Sequence, residues 1–248
     1  MKRLNFLAAL GVGFLLLSAI IYGIHFAIFR DSYFIFKYMI ASLGFLPINV
    51  FLVTFVLNSL MGNREKQSRM KKLNMVIGAF FSDVGTDLLR ILASFDMQRE
   101  QLHEVLSINK NWTDEDFSIA KTRLMEMSLS LEKDSSHLMI LKDFLLERRA
   151  DLLRLLENTS LLEHESFSNL LWAASHLSDE LMHRKDLHNL YPTDLAHLTN
   201  DANRIYVLLL LQWVDYMNHL KHKYPYLFSL AVRTNPFTPN VSVEIKEE

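Results

Sequence analysis

The chain has 248 residues, half of them apolar, and 28 acidic residues stand against 26 basic ones. That length allows one or two domains, and a net charge of −2 gives no electrostatic footprint for nucleic acid, whose readers carry a basic stripe. With no Cys present, disulfides, Cys-ligated zinc or iron–sulfur sites and a thiol nucleophile are also excluded.

The apolar excess sits in the first sixty or so residues. Lys2 and Arg3 precede an apolar run from Leu4 to Phe29, closed by Arg30 and Asp31. A secretory signal has an apolar core of about 7–15 residues ending at a cleavage site. This run is longer and a second follows at once, which predicts a retained anchor. The segment Arg30–Lys37 is then a short outer connection, too short for a ligand-binding domain. A second span follows over about 38–60, and about 20 apolar residues suffice to cross a bilayer as a helix. It ends in Arg64, Lys66, Arg69, Lys71 and Lys72, a cluster that marks the cytoplasmic side. Residues 1–62 therefore read as a transmembrane hairpin in the inner or plasma membrane, with both termini cytoplasmic. The same basic residues can rest on anionic headgroups of the lipid bilayer at about 1 kcal/mol each.

Gly44 and Pro47 should bend the second span, because Pro lacks the backbone donor and crowds the preceding turn. Asn49 and Ser18 fall near the two midpoints. An intramembrane Asn is costly unless hydrogen-bonded, so Asn49 pairs with Ser18 or with Asn49 of another copy, at about 1 kcal/mol, or lines a pore. No Asp, Glu, Lys or Arg lies inside either predicted span, leaving an ion relay little to work with.

Residues 63–232 read as a cytosolic α-helical domain. Asn63–Asp96 is a long amphipathic helix with Gly78 and Gly85 on one face, where another helix can approach closely. Gln98–Ile108 is a short helix. Thr113 with Asp116 forms a capping-box pattern that opens a helix running to Leu131. Asp134 or Ser135 caps the next, with its stripe at Leu138, Leu141, Leu145, Leu152 and Leu156. Ser160 with Glu163 repeats the capping pattern before a helix towards His183. Pro192 suits a helix start, and the last long helix, Asp194 to about His222, is apolar all round from Ile205 to Leu211, as a central bundle helix is. Residues 233–248 read as an extended tail whose Val241, Val243 and Ile245 alternate. The fold class is all-α: a two-helix transmembrane hairpin followed by a cytosolic helical bundle.

Ten His residues raise the question of a metal. Glu180-Leu-Met-His183 has the spacing that puts both ligands on one helix face, as in di-iron carboxylate bundles, and Asp194-Leu-Ala-His197 repeats it. A full site needs further Glu on separate helices, and only Glu157, Glu163 and Glu165 are near enough in sequence to be recruited. Asp215, His219 and His222 share a face, as do His197, Asp201 and Arg204. Trp172, Trp213 and Tyr216 suit core or interface anchors. Phosphate-cradling glycine loops, HExxH and G-x-S-x-G are absent.

The run FKYMIASLGFLPINVF with REKQSRMKKLNMVIGAFF, and the ending YPYLFSLAVRTNPF, resemble a family of uncharacterised bacterial two-span membrane proteins with a cytosolic helical domain. The resemblance implies that architecture and carries no activity or functional residue with it. The expected function is a non-enzymatic interaction protein, a membrane-tethered scaffold or accessory subunit without a cofactor. It would associate with itself or another membrane protein, in part through Gly78, Gly85 and Asn49. The alternatives are a small oligomeric channel with Pro47 and Asn49 at its constriction, and a metal-binding bundle enzyme using Glu180, His183, Asp194 and His197.

Overall fold

The computed structural model describes residues 2–158, 161, 164–238 and 241–244, with side chains described outside 2–8 and 59–69. The described residues are helical, without a named strand. The chain divides into two compact units, Met1–Lys66 and Gln67–Glu248.

The first unit contains helix α1, Lys2–Phe29, and the first part of α2, Ser32–Phe80. Only Arg30 and Asp31 separate them. Arg30 takes a positive φ of 49°, a left-handed conformation in which a helix commonly ends. Asp31 then caps the next helix, its carboxylate accepting the Phe34 N–H at 2.9 Å. The connection is therefore two residues long, where the sequence predicts an outer loop over Arg30–Lys37, because the Asp31 cap starts α2 early. The turn is closed by His25, whose ring stacks on Phe34 with centroids 5.4 Å apart. Pro47 lies inside α2, so the Leu43 carbonyl lacks its usual donor four residues on. The stretches Ala9–Phe29 and Ser32–Asn58 are long and apolar enough to cross a membrane, and none of either is buried within the protein.

The second unit is a helical bundle built round α9, Pro192–Lys223, with Pro192 in its first turn. This helix packs against α3 (Thr86–Ser94), α5 (Asp114–Glu126), α6 (Ser135–Glu147), α8 (Glu165–His183) and α10 (Pro225–Arg233). Neighbours on several sides explain the apolar run: Ile205, Tyr206, Leu209 and Leu210 are buried. Each fully buried Leu or Ile stabilises the fold by about 1.5–3 kcal/mol relative to exposure. Two polar side chains carry α9 into the core as well. Tyr206 donates its hydroxyl to the buried Asp96 carboxylate at 3.0 Å, and Gln212 donates to Ser166 Oγ at 3.0 Å. Burial first, then the Asp96 charge, pushes the Tyr206 phenol well above its ordinary value.

The amphipathic helix expected over Asn63–Asp96 is interrupted. After Phe80 comes one π turn, Phe81–Gly85, then α3. The extra residue in the turn brings both Phe80 and Phe81 into the core, and Thr86 Oγ1 donates to the Phe81 carbonyl at 2.6 Å. Gly85 is what makes this possible. A Cβ there would stand 2.6 Å from Phe80 Cε1 and 2.7 Å from Phe81 Cδ1.

Farther along, α4 is Arg99–Val105, and the Thr113 box caps α5. Asp116 N–H donates to Thr113 Oγ1 at 3.3 Å and Thr113 N–H to Asp116 Oδ2 at 2.6 Å. The helix stops at Glu126 rather than reaching Leu131. Leu129 and Leu131 are instead buried from an extended segment, and Leu131 makes an antiparallel bridge with Asp96. Asp134 caps α6, accepting the Ser136 N–H at 2.8 Å. The single stripe Leu138–Leu156 is split at Arg148 into α6 and α7, Arg149–Leu156. The expected Ser160–Glu163 cap lies outside the described residues. Here His164 caps α8, its Nδ1 accepting the Phe167 N–H at 3.2 Å.

The chain does not leave the bundle at 233. Asn235 is fully buried, donating to the Leu106 carbonyl at 2.9 Å, and Phe237 sits edge-on to Trp213. The expected extended tail is thus anchored through Phe237, because an Asn side chain can satisfy an otherwise open carbonyl. Val241 and Val243 are exposed, and Ile245 lies outside the described residues.

Candidate functional site

Antiparallel packing of α8 and α9 brings the acidic and His residues of both helices to one face. The two acid-to-His pairs foreseen from spacing meet a third party there. Arg184, the residue after α8, donates to Glu180 Oε2 at 2.6 Å and makes two bonds to Asp194, at 2.9 and 2.7 Å. Planar two-point pairing of this kind is the geometry guanidinium is built for. Hydrogen bonding from Arg184 holds both carboxyls below their ordinary values, and the two carboxylates raise Arg184 in return, Asp194 foremost.

His183 is not part of that group. It is exposed and its Nδ1 meets the Asp179 carbonyl at 2.7 Å. His197 turns to Asp201, with Nε2 3.5 Å from Oδ2. His176 of α8 approaches the same oxygen at 3.7 Å. Asp201 Oδ2 is shielded from solvent and accepts no hydrogen bond among the described residues, and this one carboxylate oxygen stands between two imidazoles. Protonation of either ring supplies it with a cationic partner. Among the described residues, no group of three or more His, Asp or Glu side chains is arranged to hold a metal ion.

Beside this cluster lies a cleft of about 250 Å³ lined by Asn169, Trp172, Ala173, His176, Asp201 and Arg204. Clefts that enclose small-molecule ligands measure about 300–1,000 Å³. This one has room for a side chain of a partner. Trp172 is 61% exposed, an unusual setting for the largest aromatic side chain. Trp213 is buried in the core, and half-buried Tyr216 packs against the core, stacking on Phe81 at 4.7 Å.

The remaining predicted positions are dispersed. Ser18 and Asn49 are exposed and make no side-chain hydrogen bond within the described residues. Gly78 faces Tyr216 at 3.8 Å and Gly85 lies beneath Phe80 and Phe81, so both glycines serve contacts inside the chain. Lys71 and Lys72 are exposed. The side chains of Arg64, Lys66 and Arg69 lie outside those described. Asp215, His219 and His222 part company: Asp215 pairs with Lys121 at 2.6 Å, His219 with Asn74 at 3.2 Å, and His222 with Asp114 at 3.4 Å.

Sequence reasoning missed Arg184. Its position four after Glu180 was a usable signal for one of the two pairs, whereas the pairing with Asp194 depends on how the chain turns between α8 and α9. The approach of His176 to Asp201 crosses between helices and has no local signature.

The fold and site define an all-helical protein with two apolar N-terminal helices and a separate helical bundle whose polar face carries a small cleft. The chain belongs to the MJ1433 family. Residues 2–61 match the model described as MJ1433, N-terminal helical domain, and residues 69–233 the one described as uncharacterized protein MJ1433, C-terminal helical domain. A relative from Methanocaldococcus jannaschii, "Uncharacterized protein MJ1433", is 41% identical over all 248 residues of this chain and 99% of its own length. That relative is archaeal, whereas the resemblance drawn from the sequence pointed to bacterial proteins. No solved structure matches.

Proposed function

We propose that this chain is a membrane-anchored, non-enzymatic interaction protein, a scaffold or accessory subunit. Its two apolar helices sit in the inner or plasma membrane, and its bundle presents the α8–α9 cleft to a protein partner. Exposed Trp172 beside that cleft is the observation that carries the reading. Trp and Arg are the residues that most often anchor interfaces when a partner excludes water from them, and Arg204 lines the same cleft. The wholly unburied apolar surfaces of Ala9–Phe29 and Ser32–Asn58 support the anchor, since hydrocarbon removes the cost that water imposes on them. Lys and Arg on either side of the spans orient both termini to the cytoplasm.

The test is co-purification of the full chain from native membranes, comparing wild type with Trp172→Ala and Arg204→Glu. A stoichiometric partner or second copy that is lost from the variants, with their melting unchanged, supports the proposal. Equal recovery from all three removes the cleft from it.

A second reading has one specific observation behind it. Asn49 is exposed in mid-span with no side-chain partner among the described residues, so copies pairing through it could surround a pore. Conductance that Asn49→Leu abolishes without altering assembly would favour a channel. The metal-enzyme reading is less well served, because Arg184 already neutralises Glu180 and Asp194.

A further inference from the structure

Within the second unit, the last part of α2 runs antiparallel to the end of α9. Gly78 faces Tyr216 at 3.8 Å, and one turn earlier Asn74 Nδ2 donates to His219 Nδ1 at 3.2 Å. Lys71 stands three residues before Asn74 on α2, and His222 and Lys223 stand three and four after His219 on α9, each one turn beyond the Asn74–His219 contact. Residues three and four apart share a helix face. Two stretches far apart in the sequence thus converge, and Lys71, Lys72 and Lys223 come to one end of the bundle, all exposed.

These cations are uncompensated. Their neighbours have acids: His222 meets Asp114 at 3.4 Å, and Lys221 lies towards Asp116. Lys71, Lys72 and Lys223 have no ion pair among the described residues. The adjoining surface is aromatic. The Tyr224 ring meets His219 at 5.8 Å and Tyr226 at 6.5 Å, and Tyr226 is 71% exposed, with Leu227 beside it also open to solvent. Clustered Lys with Tyr and Leu on one surface is the composition that headgroups and the acyl boundary accept together. Gathering like charges costs energy unless an anion faces them.

We propose that this end of the bundle, formed by Lys71, Lys72, Lys223, Tyr224, Tyr226 and Leu227, docks on an anionic lipid surface. The proposal rests on the membrane-anchored reading, since a chain held by the spans presents this end to headgroups at high local concentration.

The experiment is lysine acetylation, read by mass spectrometry, on the full chain in nanodiscs of pure phosphatidylcholine or with about one-third phosphatidylglycerol. The expected result is slower acetylation of Lys71, Lys72 and Lys223 in the anionic discs, by about fivefold per residue, reversed by high salt, with exposed Lys110 and Lys185 unchanged. The double variant Lys223→Glu, Tyr226→Ser, both positions outside the core, should melt like wild type and lose the protection at Lys71 and Lys72. Equal rates in the two lipids overturn the proposal. Protection in native membranes but not in these discs, which hold no partner protein, also overturns it, assigning the patch to an acidic protein. If the chain fails to insert, the anchored reading falls, and sedimentation with vesicles of the same compositions decides the patch alone. Binding to anionic vesicles only, lost in the variant, upholds it; no binding overturns it.

Discussion

Arg184 and Asp194 join α8 to α9 through two parallel hydrogen bonds of 2.9 and 2.7 Å, with the same guanidinium also holding Glu180. The group is about three-quarters shielded at Arg184, whose side chain is 21% exposed. Charge-assisted bonds in such a setting contribute about 1.5–3 kcal/mol. Arg184→Met should therefore destabilise the bundle by roughly that amount, leaving two carboxylates facing each other, as chemical denaturation at neutral pH would show.

The same pair has an acid signature. Arg184 depresses the pKa of Glu180 and Asp194 in the folded state, so the unfolded chain takes up their protons first as pH falls. Their stabilisation is present above the unfolded carboxylate values of about 4 and is lost as pH drops through the depressed folded values. Wild type should lose this contribution as pH falls from about 4.5 through the depressed folded values, and Arg184→Met should lack it. Melting temperatures across that range measure the difference.

A basic-side counterpart lies at His219. Burial first, then Lys223 and His222, lower its pKa in the folded protein, and Asn74 donates to its Nδ1, which requires the neutral ring. The unfolded chain protonates before the folded one, so stability falls as pH drops below about 6.5 towards the folded value. Replacing His219 by Gln should flatten the melting temperature over about pH 7.5–5.5. A wild-type profile already flat there would contradict the assignment.

Two glycines that look alike in sequence should respond differently. Gly85→Ala forces a Cβ to within 2.6 Å of Phe80, whose ring is itself pinned edge-on to Phe167 at 5.1 Å. Overpacking of this kind costs about 1–3 kcal/mol. Gly78→Ala meets only ordinary contact at 3.8 Å, and the helical backbone there gains up to about 1 kcal/mol from the better helix former. Thermal unfolding of the two variants should move in opposite directions.

The absence of Cys makes orientation directly measurable. A single Ser32→Cys at the start of α2, beside the turn from α1, should react with an impermeant maleimide on intact cells. Lys110→Cys, exposed in the bundle, should react only after permeabilisation. The reverse pattern would invert the topology.

Much of this architecture was legible because it is written in local chemistry. The two long N-terminal helices show as uninterrupted apolar runs, the Thr113–Asp116 box as a spacing, and the Pro192 start as a residue type. Other features were hidden because they arise from tertiary contact. The stripe Leu138–Leu156 keeps its period through the break at Arg148, so periodicity alone cannot find it. Leu131 fits a helical pattern yet is buried from an extended segment paired with Asp96. The π turn at Phe81–Gly85 leaves no signal beyond a glycine. Residues sharing a face of α9 go to different neighbours because the helix is central: Asp215 and His222 both reach α5, His219 reaches the end of α2, and His197 closes on its own Asp201. A shared face therefore does not make a shared site, and the Glu180–His183 and Asp194–His197 pairs were resolved by Arg184, not by their His residues.

The central claim, an integral membrane protein that works by association, is tested most directly by particle mass. The chain is to be expressed at native level, its membranes washed with alkaline carbonate, and the remainder released in mild detergent for native mass spectrometry. The account predicts that the protein resists the wash and emerges in a complex heavier than its own 28.9 kDa, containing a second copy or a stoichiometric partner. Release by carbonate as a 28.9 kDa monomer would contradict it.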